Sequence, residues 1–205
     1  IVPFDNKNEA LEIPEMEVYG AENLAQAYFA LENNSNLFSK KEYSKDDQNG
    51  IPKDAVKIHG IYFPAIDKEL DYKDVHGQEN LIRALQIAAA GGHNLLAFGP
   101  PGCGKTLSLQ RFPSLLPFLN KEESQAVTRI YSISGLLPIN KDILRTAPFR
   151  MPHQTSTIEG ICGGGPKCNP GEVSLAHNGT LFLDEACEFR TSVLQMLRVP
   201  LESGS

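Results

Sequence analysis

Apolar positions recur at helical spacing over Gln78 to Ala90, where Leu81, Leu85, Ala88 and Ala89 share a face and Gly91-Gly92 supplies the stop. The next run, His93-Asn94-Leu95-Leu96-Ala97-Phe98, is short and apolar, which predicts a buried strand. Thr106 to Phe112 predicts a helix that Pro113 ends. Asn120-Lys121-Glu122-Glu123 predicts an N-cap with Glu at the third helical position, opening a helix that runs to about Ser134 before Gly135. Proline at 138, 148 and 152 limits regular structure between 138 and 160, and the glycine-rich stretch from Gly160 to Gly171 predicts a loop or hairpin tip. Gly179 to Leu183 predicts an apolar strand, and Arg190 to Leu201 a helix with Leu194 and Leu197 inward.

The first third has a different texture. Ile1-Val2-Pro3 and Met16-Glu17-Val18-Tyr19 predict short strands, and Asn23 to Asn33 a helix with Leu24, Ala27, Tyr28 and Leu31 on one face. From Asn33 to about Lys57 the chain turns polar, with a charge run over Lys40–Asp47 and then Gly50-Ile51-Pro52. That composition predicts a linker. The expected organisation is the end of one domain over 1–37, a linker over 38–71, and the first part of a second domain over 72–205.

Composition adds a few bounds. The chain has 205 residues, 41% of them hydrophobic. No apolar run approaches the roughly 18 residues a membrane helix needs, so no membrane association is expected. It begins with Ile1 rather than Met, which suggests that the natural start lies upstream. Four scattered cysteines do not form a secreted disulfide framework, and a reducing cytoplasm is the expected compartment. Residues 1–72 hold 14 Asp/Glu against 7 Lys/Arg, whereas 73–205 hold 11 against 12. The first part would therefore repel nucleic acid, and the second is close to neutral.

The candidate chemistry lies in that second part. Gly99-Pro100-Pro101-Gly102-Cys103-Gly104-Lys105-Thr106 matches the phosphate-loop pattern G-x-x-x-x-G-K-[ST] at every required position, and Leu107 continues it into the helix. An apolar run before it and a helix after it are the context the motif needs. Glycines let backbone N–H groups turn toward phosphate oxygens, and the helix N-terminus adds partial positive charge. Lys105 would reach the β/γ-phosphates of ATP, and the Thr106 hydroxyl would ligate Mg²⁺. Seventy-nine residues beyond Lys105, the run from Gly179 ends in Asp184-Glu185, the Walker B pattern. Asp184 would hold Mg²⁺ through its water shell, and Glu185 would orient the attacking water.

Several other residues carry open alternatives. Cys162 and Cys168 have five residues between them with only His177 nearby, a poor match to a zinc site and readable as two free thiols. His153 and His177 could meet a phosphate or make structural hydrogen bonds. Lys167 could contact DNA phosphates or be a solvated loop lysine. Arg111, Arg145 and Arg150 could serve a neighbouring subunit's nucleotide or form ordinary salt bridges.

Taken together, these residues resemble the magnesium-chelatase-like branch of the AAA+ ATPases, in particular its ComM/YifB-type, competence-related members. The resemblance is carried by Asp74-Val75-His76-Gly77-Gln78, by Ala88 to Leu96, by the phosphate loop, by Arg129-Ile130-Tyr131-Ser132 and by Pro148 to His153. The run from Gly163 through Pro170-Gly171-Glu172-Val173-Ser174-Leu175-Ala176-His177-Asn178-Gly179 is its most specific part. It implies an α/β AAA+ fold, a P-loop NTPase parallel sheet flanked by helices with insertion hairpins. Residues 1–37 would be the end of a ribosomal-S5/Lon-like α+β domain. It also implies a ring, usually a hexamer, with Val75, His76, Gly77 and Gln78 near the adenine and hairpins toward a central pore. ATP hydrolysis would be coupled to DNA remodelling such as helicase or branch-migration work. A chelatase motor subunit and a nucleotide-gated scaffold are the alternatives. The family often has His-His where this chain has His153-Gln154, and no cysteine at positions 103, 162, 168 and 187. Its sensor and arginine-finger residues would lie beyond residue 205, so residues 1–205 alone are expected to hydrolyse ATP barely, if at all.

Overall fold

The computed structural model describes residues 1–11, 13, 16–33, 37–39, 55–65, 70–138, 143–166 and 168–203. The Lys40–Asp47 charge run, Gly50-Ile51-Pro52 and Lys167 lie outside the described residues. The chain divides into two compact units, Ile1–Gly50 with Leu137–Ile143, and Ile51–Leu136 with Leu144–Ser205.

In the first unit, β1 (Val2–Pro3) pairs in parallel with β2 (Gly20–Ala21), with the short helix α1 (Lys7–Leu11) between them. Of the expected strand at 16–19, only an isolated bridge from Val18 to Ser39 forms, and Val18 is buried. The helix expected at 23–33 is present as α2 (Leu24–Asn33), its entry fixed by the Asn23 side chain accepting from Gln26 N at 3.0 Å. Its inward face differs from the expected one. Ala30 is buried, while Leu24, Tyr28 and Leu31 are exposed, at 86, 61 and 67%. Two helical faces carry apolar residues here, and the one with the small side chain is the one buried.

The second unit holds the candidate site. A hairpin, β3 (Val56–Ile58) with β4 (Ile61–Phe63), lies in the stretch read as linker, and Phe118 N donates to Tyr62 O at 2.9 Å. The helix α3 (Glu79–Gly91) buries Leu85 and Ala88 and ends at Gly92 in the left-handed region. After it come α4 (Lys105–Gln110) and a 3-10 turn over Phe112–Leu115 that contains Pro113, the expected stop.

Helix α5 (Lys121–Ile133) opens on a full capping box. Asn120 Oδ1 accepts from Glu123 N at 2.9 Å, and Glu123 Oε2 accepts from Asn120 N at 2.8 Å. Its buried polar residues tie the helix to the chain that follows. Thr128 Oγ1 accepts from Leu144 N at 2.9 Å and donates to Ser124 O at 2.7 Å, and the Ser124 hydroxyl donates to Leu144 O. No buried donor is wasted, so their burial costs little.

From that anchor the chain enters β5 (Phe149–Arg150), which runs parallel to β6 (Thr180–Leu181). Thr180 N donates to Pro148 O and Phe182 N to Arg150 O, both at 2.8 Å. Gly179 is required at the mouth of this pair, because a Cβ there would lie 2.1 Å from Pro148 O. Between the strands come α6 (Ile158–Cys162), an antiparallel bridge from Gly164 to Asn169, and α7 (Glu172–Leu175). Helix α8 (Thr191–Ser203) closes the unit.

The core sits beneath β6. Ile161, Phe189, Val193 and Leu197 form its buried cluster, with Val173, Leu181 and Leu183 packed against it. Each such side chain contributes about 1.5–3 kcal/mol of burial. On α8 the inward residues are Val193 and Leu197, and Leu194, expected inward, is 37% exposed. Phe189, Val193 and Leu197 follow the i, i+4 spacing of one stripe, and Leu194 falls beside it.

Among the described residues the expected parallel sheet is present only in two-stranded pieces. The run from His93 to Phe98 takes no regular secondary structure and joins no ladder among the described residues, and Leu96 and Phe98 are 86 and 99% exposed. A strand is stabilised by neighbours that take its N–H and C=O groups. No described residue pairs with this run in a ladder.

Candidate nucleotide site

The phosphate loop takes the shape its glycines permit. Gly102 and Gly104 sit at φ 76° and 81°, and Gly104 is the N-cap of α4. A side chain at either would be strained there. The Lys105 ammonium folds back over the loop and donates to Gly99 O at 2.8 Å and to Pro100 O at 2.7 Å, with Cys103 Sγ at 3.5 Å.

The loop and its helix are held by the chain that precedes α3. The Gln78 side-chain amide donates to Cys103 O. Tyr72 OH donates to Ser108 O at 2.8 Å, and burial pushes the phenol up to about 12. Arg111 Nε donates to Asp71 O at 3.1 Å, and its Nη1 to Leu107 O at 2.9 Å. Two of the Arg111 donors therefore hold α4. A backbone hydrogen bond from Lys73, with its ammonium beside it, keeps Asp71 below the usual carboxylate range. Ser108 is fully buried and donates to Gly104 O at 3.1 Å.

Of the four residues expected near the adenine, Gly77 and Gln78, with Glu79 and Asn80, line an open cavity of about 380 Å³. His76 is exposed, and Val75 is half-buried and donates its N–H to Tyr72 O at 3.0 Å.

The second motif arrives from β6. Thr106 Oγ1 lies 3.3 and 3.4 Å from the two Asp184 carboxylate oxygens, although the residues are 78 positions apart. A hydroxyl and a carboxylate at this separation are hard oxygen donors of the kind Mg²⁺ accepts. Magnesium commonly takes one or two carboxylates and completes its shell with water and phosphate. Among the described residues no cluster of three His, Cys, Asp or Glu could hold a metal by itself. The donor set therefore fits a cation that arrives with a phosphate ligand.

Glu185 follows with φ 50°, in the left-handed region that few non-glycine residues adopt. Its N–H donates to Asp184 Oδ1 at 3.1 Å. Its exposed carboxylate accepts from Gln154 Nε2 at 2.7 Å. Sequence reasoning singled out Gln154 only as a departure from a His-His pattern. Nothing in its spacing announced that the β5–β6 pairing would bring it to Glu185.

The remaining candidates are placed as follows. His153 Nδ1 accepts from Thr155 N at 3.3 Å and faces Thr155 Oγ1 at 2.9 Å, so the ring closes its own turn. Arg150 makes a bidentate pair with Glu172, at 2.7 and 2.8 Å, which raises the guanidinium pKa. His177 N donates to Ser174 O at 3.2 Å. All four cysteines are free thiols, and burial raises the Cys162 pKa. Among the described residues no helix is long and apolar enough to cross a membrane.

These features define a class: a mixed α/β protein with a phosphate-loop signature at a helix N-terminus and an acidic pair at the end of a parallel strand. The chain belongs to the family described as magnesium chelatase, subunit ChlI, whose model matches residues 71–205. It is similar to the competence protein ComM of Haemophilus influenzae, 38% identical over 204 residues. It is similar at the same identity over all 205 residues to an uncharacterized protein of Mycobacterium tuberculosis. Both alignments take in the whole of this chain and 37% of the relative. YifB of Escherichia coli, also uncharacterized, is 49% identical over 134 residues, 65% of this chain and 26% of YifB. The chain thus spans little more than a third of the length of the relatives that it matches throughout.

Proposed function

We propose that this chain is the nucleotide-binding part of an AAA+ ATPase whose hydrolysis of Mg-ATP drives the remodelling of DNA. The observation that carries the ATPase reading is the approach of Thr106 Oγ1 to Asp184, 3.3 Å across 78 residues, beside a complete phosphate loop. The DNA reading rests on likeness to a competence protein over the whole chain.

In this reading the backbone N–H groups of 102–106 and the dipole of α4 bind the phosphates. Lys105 leaves Gly99 O and Pro100 O and turns to the β/γ-phosphate oxygens. Thr106 and Asp184 hold the cation, which when bound supplies charge neutralisation between the phosphates. Glu185 orients water for in-line attack on the γ-phosphorus, and the bond to the β-γ bridging oxygen breaks to leave ADP and phosphate. Gln78 and Gly77 face the base. Copies of the chain assemble as a ring, usually of six, and the glycine-rich bend between α6 and α7 faces the pore.

The test is the ATPase rate of the full-length polypeptide with and without forked DNA, with Glu185→Gln as the blank. Stimulation of several-fold by DNA, lost in Glu185→Gln, supports the proposal. The family description favours a second reading, a motor subunit of a metal chelatase. A Glu185-dependent rate indifferent to DNA would support that one instead.

A further inference from the structure

A two-bond fork from Arg150 to Glu172 ties the glycine-rich bend between α6 and α7 to the strand pair, and we infer that this contact passes movement of the bend to the nucleotide site. Both side chains are then positioning residues. This deepens the proposed reading and rests on its placing of the bend where DNA acts on it.

The bend belongs to a closed body. Gly163 N donates to Glu159 O at 2.8 Å, Gly164 N to Asn169 O at 3.0 Å and Leu175 N to Gly171 O at 2.9 Å. At its neck two glycines meet backbone to backbone. A Cβ on Gly171 would lie 2.2 Å from Gly163 N and 2.5 Å from Ile161 O. With no side chain between them, the end of α6 and the start of α7 have little room to move apart from each other. Gly164, Gly165, Pro166, Cys168 and Asn169, toward the tip, are exposed. A push on the tip is therefore carried to the neck, because closely packed groups transmit strain.

Two kinds of tie join this body to the rest of its unit. Ile161 and Leu175 are buried apolar anchors, and apolar burial is non-directional. Arg150 supplies direction. Its Nε and Nη2 donate to Glu172 Oε2 and Oε1 at 2.7 and 2.8 Å, a charge-assisted fork that fixes angle as well as distance. Tyr131 of α5 lies beside the same guanidinium. The two side chains are 30 and 22% exposed, so the pair is less screened than one on the open surface. Glu172 is the first residue of α7, at the neck. Arg150 is in β5, and its carbonyl accepts from Phe182 N at 2.8 Å. Two positions beyond Phe182 stands Asp184, whose carboxylate meets Thr106 Oγ1 at 3.3 Å. Neck, fork, strand and carboxylate thus form a contiguous chain of contacts, the kind of route along which coupling is carried. Since the body is closed by its own bonds and anchored by Ile161 and Leu175, what the fork adds is a fixed angle between the bend and β5. Neither side chain touches nucleotide or cation in this account.

The experiment measures steady-state ATP hydrolysis by the full-length polypeptide with and without forked DNA, and its affinity for the same fork carrying a fluorescent label. Wild type is compared with Glu172→Gln, Arg150→Met and the double variant. Glu172→Gln keeps the shape and one acceptor while removing the charge, and is the mildest of the three. Each variant should keep its basal kcat, its KM for ATP and its fork affinity within about twofold, while stimulation by DNA falls from several-fold to below about 1.5-fold. The double variant should lose no more than either single one, as expected of two residues that act as a unit. Stimulation at the wild-type level in Glu172→Gln or Arg150→Met overturns the inference. So does a fall of basal and stimulated rates by the same factor, which would mark a merely structural pair. A loss of fork binding that accounts for the lost stimulation overturns it as well. The wild-type protein separates the two levels. If DNA does not stimulate it, the DNA reading fails and the inference with it. If DNA stimulates it and the variants match it, only the inference fails.

Discussion

The runs His93–Phe98 and Gly179–Leu183 are similar in length and in apolar content, and each leads into half of the candidate site. Their fates differ. The second is paired with β5 and rests on the core through Leu181 and Leu183. The first takes no regular secondary structure, pairs in a ladder with none of the described residues, and leaves Phe98 99% exposed. An apolar run states that a segment wants burial. Whether it becomes a strand is decided by which neighbour can take its backbone groups.

Four substitutions would break or sharpen that comparison, measured as denaturant unfolding of the 205-residue chain. Ile161→Ala empties the centre of the cluster under β6 and should cost about 4 kcal/mol. Gly179→Ala comes next, at about 3 kcal/mol, because its Cβ meets the Pro148 carbonyl and parts β5 from β6. A smaller effect is expected from Asn120→Ala, about 1 kcal/mol, through loss of half the capping box. Phe98→Ser should change stability by less than about 0.5 kcal/mol, as a surface substitution does. The same substitution in the full-length polypeptide sharpens the contrast. A cost of about 2 kcal/mol or more there would mean that another part of the polypeptide covers Phe98. An unchanged midpoint in Gly179→Ala would show that the β5–β6 pair yields easily, and would erase the difference between the two runs.

Where local chemistry decides structure, the sequence was readable. The start of α5 lay in Asn120 and Glu123, and the end of α3 in Gly92, because caps are made by residues three or four apart. The phosphate loop was readable for the same reason: its shape depends on glycines within one turn. The faces of α2 and α8 were harder. Leu24, Tyr28 and Leu31 satisfy helical spacing as well as Ala30 does, and only packing selects between the two stripes. Val193 and Leu197 won over Leu194 because Ile161 and Phe189 stand on their side of α8. The meeting of Thr106 with Asp184 was expected from paired motifs. That of Gln154 with Glu185 depends on strand register, which no local pattern encodes.

The three ties from the 71–78 segment have a thermodynamic consequence. Tyr72, Gln78 and Asp71 grip the phosphate loop and α4 at both ends, and Lys105 already rests on two loop carbonyls. A loop held this way has little disorder left to lose when a ligand arrives. Phosphate oxygens would replace Gly99 O and Pro100 O as partners of the Lys105 ammonium when it turns from the loop to the ligand. Association should then carry a modest entropic penalty, and cutting the ties at Tyr72 or Gln78 should enlarge it.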